Sequence, residues 1–262
     1  MKNAVKANIA VFHPSLLSRG GSQRYAIATA VNLRNSGVRA DLITSKYLPM
    51  ACYPELLSGT TVHALETYQK SPVTRSSFKS RLPFLYALLF ATGIYALLRL
   101  VRDWRVNRKM AEFIVDLERR NGVRYDIVYL HEASPFNWLA KYFNGLGRRT
   151  YLFCYDTPDK SLAWEIEGLT FLFMHEVVVR MAAKFDVLSV KRFMKKVFVL
   201  DSTMEEKALE YYGVKPFIIH GGIDLEAFNP TSSDMLRHRY GLSTDHLVVS
   251  NVTRFVPYRR VH

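Results

Sequence analysis

The chain has 262 residues, enough for one large core or two modest ones. Hydrophobic residues make up 49% and charged residues 23%, a globular balance that argues against a disordered chain. Lysine and arginine outnumber aspartate and glutamate 36 to 23, and the net charge of +13 points to a polyanionic partner: phosphate groups, acidic lipid or nucleic acid. Cys52 and Cys154 stand far apart with no CxxC spacing, which speaks against a disulfide scaffold or zinc site and favours a reducing compartment. The N-terminal MKNAVKANIAVFHP holds only a short apolar run, Ile9 to Phe12. That is too little for a signal-peptide core, so translocation by that route is not expected.

In chain order, NIAVFH (Asn8 to His13) is apolar and bounded by Pro14, and reads as a buried parallel strand. The loop SLLSRGGSQR follows. Tyr25 to Arg34 then carries a helical apolar stripe, Ile27, Ala28, Val31 and Leu33, closed by Gly37. RADLITS (Arg39 to Ser45) is the next strand, and the whole makes a βαβ unit of a parallel sheet. Further strands are expected at Thr61–Leu65, Asp126–His131, Thr150–Asp156, Lys196–Leu200 and Pro216–His220, with helical patterns between most of them. From Lys195 to Pro230 the pattern is strand, helix, strand and a polar Gly-rich elbow. The alternation predicts an α/β fold built on a doubly wound parallel sheet.

Leu82 to Leu98 breaks the alternation with seventeen residues that carry no charge. From Arg75 to Lys109 there are eight basic residues and one acid, Asp103, so this stretch supplies +7 of the net charge. As a helix it would reach roughly 25 Å, at the short limit for a hydrocarbon core of about 30 Å, and Pro83, Thr92 and Gly93 weaken a spanning reading. Basic flanks with Tyr86, Tyr95 and Trp104 suit a helix lying in an anionic surface. A buried helix packed on the sheet and a true span stay open beside it. Because the basic surplus gathers round an apolar segment, and not along an aromatic-interleaved stripe, no nucleic acid is expected as partner.

Four features carry candidate chemistry. Arg19-Gly20-Gly21-Ser22 lies between the first strand and first helix, where paired glycines admit a ligand to the backbone and a helix N-terminus offers N–H groups to an anion. It matches neither GxGxxG nor the GK[ST] of a P-loop, and an ordinary tight turn explains it equally well. His131 ends a strand and is followed by Glu132; a polar pair beyond the carboxyl end of a parallel strand faces the crevice. There an imidazole can bond a substrate hydroxyl and a carboxylate can take a proton or orient a sugar. His13 occupies the same kind of position on the first strand. Asp156 and Asp159 are too far apart for Asp-x-Asp, and no other metal-ligand spacing occurs, so no metal is expected.

Taken together, FHPSLLSRGGSQRYAIATAVNLRNSGVRADLITS resembles the opening of the family 4 glycosyltransferases of GT-B architecture. YDIVYLHEASP looks like that family's fourth strand ending in His, and the Lys195–Pro230 stretch looks like its interdomain hinge. HLVVSNVTRFVPYRR resembles the first strand of the second domain. Within the family the segments look most like the dolichol-linked α-mannosyltransferase group of early N-glycan assembly. The departures are His220-Gly221-Gly222 where the family has Pro-Asn-Gly, Thr253-Arg254 where it has Gly-Arg, and no Glu-x7-Glu segment.

The resemblance implies the Rossmann-like N-terminal half of a GT-B fold: residues 1–230 an acceptor-side domain with an apolar basic insert at about 70–109, and 231–262 a linker and the first strand of a donor domain. It implies a retaining glycosyltransferase moving a sugar, mannose in first place, from a nucleotide sugar (GDP-mannose) to a lipid-linked acceptor. Gly20, Gly21 and Ser22 would approach the donor diphosphate, and His131 would contact the sugar near the reacting carbon. Arg254 and Arg259 would neutralise the leaving diphosphate, with His13 and Glu132 in the cleft. No cofactor beyond the nucleotide sugar is implied. The expected location is the cytoplasmic side of a membrane, peripheral or monotopic, docked through Leu82 to Leu98. The alternative from another class is a catalytically inactive membrane-bound partner, or an acceptor-binding subunit that takes its donor domain from another chain.

Overall fold

The computed structural model describes residues 7–57, 59–70, 94–131, 136–155, 173–222, 234–243 and 245. The chain divides into two compact units, Met1–His220 and Gly221–His262. In the first, seven strands form one sheet: β1 Ile9–Leu16, β2 Ala40–Tyr47, β3 Val62–Thr67, β4 Ile127–His131, β5 Arg149–Phe153, β6 Met194–Val199 and β7 Phe217–Ile218. Their order is β3-β2-β1-β4-β5-β6-β7, and every pairing is parallel. The helices are α1 Gly21–Asn35, α2 Ile94–Asn121, α3 Leu139–Gly145, α4 Phe173–Phe193 and α5 Ser202–Tyr212. The described helix of the second unit is α6, Asp234–Arg239. The expected α/β doubly wound sheet is therefore present, Rossmann-like in its order.

Alternation along the strands sorts the core into two layers. Ala10, Phe12, Val128, Leu130, Leu152, Val197 and Val199 face α2 to α5 and meet Met110, Ile114, Leu117, Phe143 and Tyr212. Met110, Ile114 and Leu117 recur at helical spacing, which is why α2 continues as a helix far past the apolar stretch that precedes it. On the opposite face Val11, Ala40 and Leu42 pack with Ile27 and Ala30 of α1 and with Cys52 and Leu57 from the β2–β3 connection.

Local chemistry fixes the ends of these elements. Gly37, at φ 79°, takes the left-handed conformation that closes α1, its N–H donating to Arg34 O. Asp201 caps α5 by accepting the Met204 N–H at 2.8 Å, and Gly213, at φ 61°, ends that helix with its N–H on Leu209 O.

Several boundaries differ from the sequence reading: β5 ends at Phe153 where Asp156 was expected, β7 is confined to Phe217–Ile218, and β6 starts two residues early at Met194. β1 runs through Pro14 to Leu16 where an end at His13 was expected. β4 pairs with β1 only as far as Phe12, and the β2 register steps from His13↔Thr44 to Ser15↔Lys46, so the missing proline N–H falls where no ladder bond needs it. Helix α1 begins at Gly21, ahead of the expected Tyr25, because the turn at Gly20–Arg24 is polar and outside the apolar stripe. Of Leu82 to Leu98, residues 82–93 lie outside the described residues; Leu97 and Leu98, in the first turns of α2, are more than half exposed. Among the described residues no helix is long and apolar enough to cross a membrane.

Candidate functional site

The sheet order reverses between β1 and β4. β1 leads out to β2 and β3 on one side, and β4 leads to β5, β6 and β7 on the other, so the carboxyl ends of β1 and β4 flank the crevice where ligands of such sheets sit. The last β1–β4 pair is Phe12↔Leu130, which makes His13 and His131 the next residues in register. Both belong to the face covered by α1, and both are buried.

His13 joins β1 to the start of α1. Its Nδ1 accepts the Ser15 N–H at 3.1 Å, which leaves a ring N–H on Nε2, 3.2 Å from Ser22 Oγ. Ser22 Oγ donates its own hydroxyl hydrogen bond to Gln23 Oε1 at 3.2 Å. This chain pins the Gly20–Ser22 turn against the strand end. Gly20 is the α1 N-cap in an extended conformation, with no side chain to occupy the first-turn N–H groups. The helix's own bonding starts only at Arg24 N to Gly20 O, and Tyr53 donates to that same carbonyl at 3.1 Å. A β-carbon on Gly21 would meet nothing within 4 Å, whereas one on the N-cap Gly20 would meet Gln23 Oε1 at 2.3 Å, so the turn is open on its Gly21 side and the Gln23 amide folds over Gly20. Uncapped N–H groups, no acid in the first turn and open space together suit an anion.

His131 is more strongly perturbed. Its ring stacks on Phe153 at 5.7 Å and Tyr155 at 5.9 Å between centroids, with the Tyr129 ring edge-on at 4.7 Å and Tyr25 of α1 at 6.0 Å. Burial in this aromatic box, reinforced by neighbouring His13, pushes its pKa down to about 3, so the imidazole is neutral at any working pH. Nδ1 lies 2.5 Å from the Tyr155 hydroxyl. A phenol is a better donor than acceptor, which assigns the lone pair to Nδ1 and the ring proton to Nε2. Nε2 itself is buried and has no hydrogen-bond partner among the described residues. A buried N–H without an acceptor costs about 1–3 kcal/mol, and such exceptions call for an explanation; a ligand oxygen supplies one.

The structure thus gathers His13, Gly20, Gly21, Ser22 and His131 at one strand-end crevice. Glu132, Arg254 and Arg259 lie outside the described residues. Among the described residues no group of three or more metal-type ligands comes together. Sequence reading missed Tyr155 and Tyr25. The one available signal was TYLFCY, where Tyr151, Phe153 and Tyr155 alternate and so share one sheet face with His131.

No protein-family model matches the chain, and no curated protein matches it. Solved structures do. The HepE protein of Anabaena, in complex with UDP-glucose, superposes with a TM-score of 0.51 at 16% identity over 90% of this chain and 50% of its own. The same protein in complex with UDP gives 0.51 at 17% identity over 89% and 50%. A glycosyltransferase from Rickettsia africae gives 0.49 at 15% identity over 92% and 51%. What the chain shares with HepE is the fold. It spans about half the length of the structures it matches, and all seven parallel strands fall in the described part of the first unit.

Proposed function

We propose that the chain is the acceptor-side half of a glycosyltransferase that uses a nucleotide sugar. The observation that carries the reading is His131: a neutral imidazole, held by Tyr155, with an unused Nε2–H beside the open N-terminus of α1. The Gly-rich turn, the strand-end histidine and the sheet order agree with the family 4 resemblance, and HepE, similar in fold, binds UDP and UDP-glucose.

In this reading the α1 N-terminus at Gly20, Gly21 and Ser22 accepts a phosphate of the donor, with N–H dipoles where no metal is called on. His131 Nε2–H bonds an oxygen of the donor sugar close to the reacting carbon. With a pKa near 3 it neither carries charge nor takes a proton, so it acts as an oriented donor and not as a base. The acceptor oxygen forms the new bond to the anomeric carbon as the bond to the diphosphate breaks. Retention places both on the same sugar face, and the departing diphosphate takes the acceptor's proton. Arg254 and Arg259 would stabilise that leaving group, and Glu132 and His13 would line the cleft. GDP-mannose as donor, a lipid-linked acceptor and docking of Leu82 to Leu98 on an anionic membrane at its cytoplasmic side complete the proposal.

The test is sugar transfer from GDP-mannose and from UDP-glucose to a polyprenyl-phosphate acceptor by the full-length protein. His131→Ala is expected to reduce turnover about a hundredfold while leaving nucleotide affinity close to unchanged. Transfer at the unaltered rate would remove His131 from the mechanism. Absence of transfer, with tight acceptor binding retained, would favour the acceptor-binding subunit over the enzyme.

A further inference from the structure

A second feature lies at the other end of the sheet. Between α3 and α4 runs a groove of about 460 Å³ whose walls include Trp138, Phe185, Leu188 and Phe193, with Lys141 and Arg192 at its margins. Trp138 and Phe185 meet at 5.6 Å between ring centroids, and Lys141 Nζ stands 5.7 Å over the indole. Phe185 and Leu188 are 39% and 50% exposed, so this is apolar surface held open to solvent.

A neighbouring cavity of about 530 Å³ lies at the amino ends of β5 and β6, and Arg192 and Phe193 line both. Arg148, Arg149, Thr150 and Lys195 line the cavity, and among the described residues no carboxylate lines either space. Arg148 is almost fully buried; its Nη2 meets Glu118 Oε2 at 2.6 Å, while Nε and Nη1 have no acceptor among the described residues. The buried Thr150 hydroxyl has none either. Arg192, in the last turn of α4, answers that helix's dipole. Arg149 and Lys195 are strand residues with no such duty, and no acid pairs with them among the described residues.

We infer that this composite groove binds a phosphate-bearing lipid, with the phosphate in the basic cavity and the start of its chain along Trp138, Phe185 and Leu188. A phosphate monoester carries nearly two negative charges and only acceptor oxygens, which matches several cations with surplus donors and no carboxylate. A zwitterionic headgroup brings its own cation and fits this cavity poorly. The adjoining apolar wall is what separates a lipid from a free phosphate. The site lies at the strand ends opposite His131, so a lipid held there leaves the crevice free. The inference stands on the groove alone and holds whether or not the chain transfers sugar.

Trp138 is its own reporter. The full chain is titrated with short-chain phosphatidic acid brominated in its acyl chains, below the concentration at which it forms micelles, and tryptophan fluorescence is followed. Saturable quenching is expected in the natural protein and its loss in Trp138→Phe. Paired Arg149→Gln and Arg192→Gln substitutions, at exposed positions, are expected to weaken binding roughly thirtyfold. Leu188→Ser is expected to weaken the lipid and leave any affinity for inorganic phosphate intact. Circular dichroism establishes that each variant is folded. Equal quenching by brominated phosphatidylcholine would reduce the groove to an unselective apolar patch and overturn the proposal. So would inorganic phosphate that displaces the lipid mole for mole, or a dimer abolished by Leu188→Ser in a protein that no lipid quenches.

Discussion

The two ends of β4 hold their buried polar groups by different means. At the amino end Glu118, from α2, accepts the Tyr125 N–H at 2.7 Å and Arg148 Nη2 at 2.6 Å, so both carboxylate oxygens are used. Tyr125 donates its hydroxyl to Asp41 Oδ2 at 2.7 Å, and Asn8 ties Asp126 and the Arg124 carbonyl to the start of β1. At the carboxyl end His131 meets Tyr155 through Nδ1 and leaves Nε2 without a partner among the described residues. Unpartnered buried atoms occur at both ends among the described residues, Arg148 Nε and Nη1 at one and His131 Nε2 at the other. What sets the carboxyl end apart is that its atom belongs to a neutral ring with no charged partner beside the Gly-rich start of α1, which in the proposed reading suits a ligand.

The comparison breaks most visibly at Glu118. Glu118→Ala leaves Arg148 as a buried guanidinium without its carboxylate and the Tyr125 N–H without its acceptor. About 3–5 kcal/mol of folding stability should go, read from urea denaturation, with no specific effect on nucleotide binding at the crevice. A loss under about 1 kcal/mol would mean that the amino end is not the knot described here. His131→Phe is the counterpart. It removes a half-satisfied imidazole from an aromatic box, and Tyr155, only partly buried, can turn to water. Turnover is expected to fall about a hundredfold while stability holds or rises by up to about 1 kcal/mol. A variant as unstable as Glu118→Ala would make His131 a structural residue.

Tyr155→Phe sharpens the contrast with a smaller effect, since it keeps the ring and its stacking on His131 but deletes the hydroxyl that holds Nδ1. The expected costs are about 1 kcal/mol of stability and about tenfold in turnover, concentrated in kcat. The readout that a merely structural tyrosine would not move is the tautomer: nitrogen-15 chemical shifts of His131 should change from one Nε2–H form to a mixture of both.

The contrast between the two ends also explains what the sequence disclosed. The strands were legible because each is a short apolar run bounded by turn residues, and the wrong end at His13 came from treating Pro14 as a stop without knowing that β4 would end its pairing at Phe12. His131 could be marked as crevice-facing from its place at a strand end. Its distinguishing property could not be read, because an unpaired Nε2 depends on Phe153, Tyr155 and Tyr25, which the end of β5 and helix α1 bring to one face. The His13–Ser22 bond was hidden for the same reason: each residue was a candidate, but only the return of the chain into α1 makes them partners. The apolar groove beside Arg192 left no sequence signature either, since Trp138 and Phe185 come from segments separated by β5.

The smallest effect expected in the natural protein is a cancellation, and it comes from setting His131 against Asp186. Folding lowers the His131 pKa from 6.5 to about 3, chiefly through burial. Below pH 6.5 the unfolded chain therefore takes up a proton that the folded chain refuses, and stability falls as pH falls toward 3, by at most about 1.4 kcal/mol per pH unit. Burial acts in the other sense on Asp186, raising its carboxyl from 3.8 to about 6 against a hydrogen bond from Asn137. Its contribution is complete below pH 3.8 and disappears as pH rises through 6, so it gains strength on acidification across the very interval in which His131 weakens the fold. Between about pH 4 and 6 the two slopes oppose, and urea midpoints of the natural protein should change little. Asp186→Asn keeps a bond to Asn137 and removes one slope, so stability should now drop with acid; His131→Phe removes the other, so stability should rise. Parallel pH profiles in the natural protein and both variants would show that neither group is held as the geometry holds it, and the neutral His131 on which the carboxyl-end site depends would go with them.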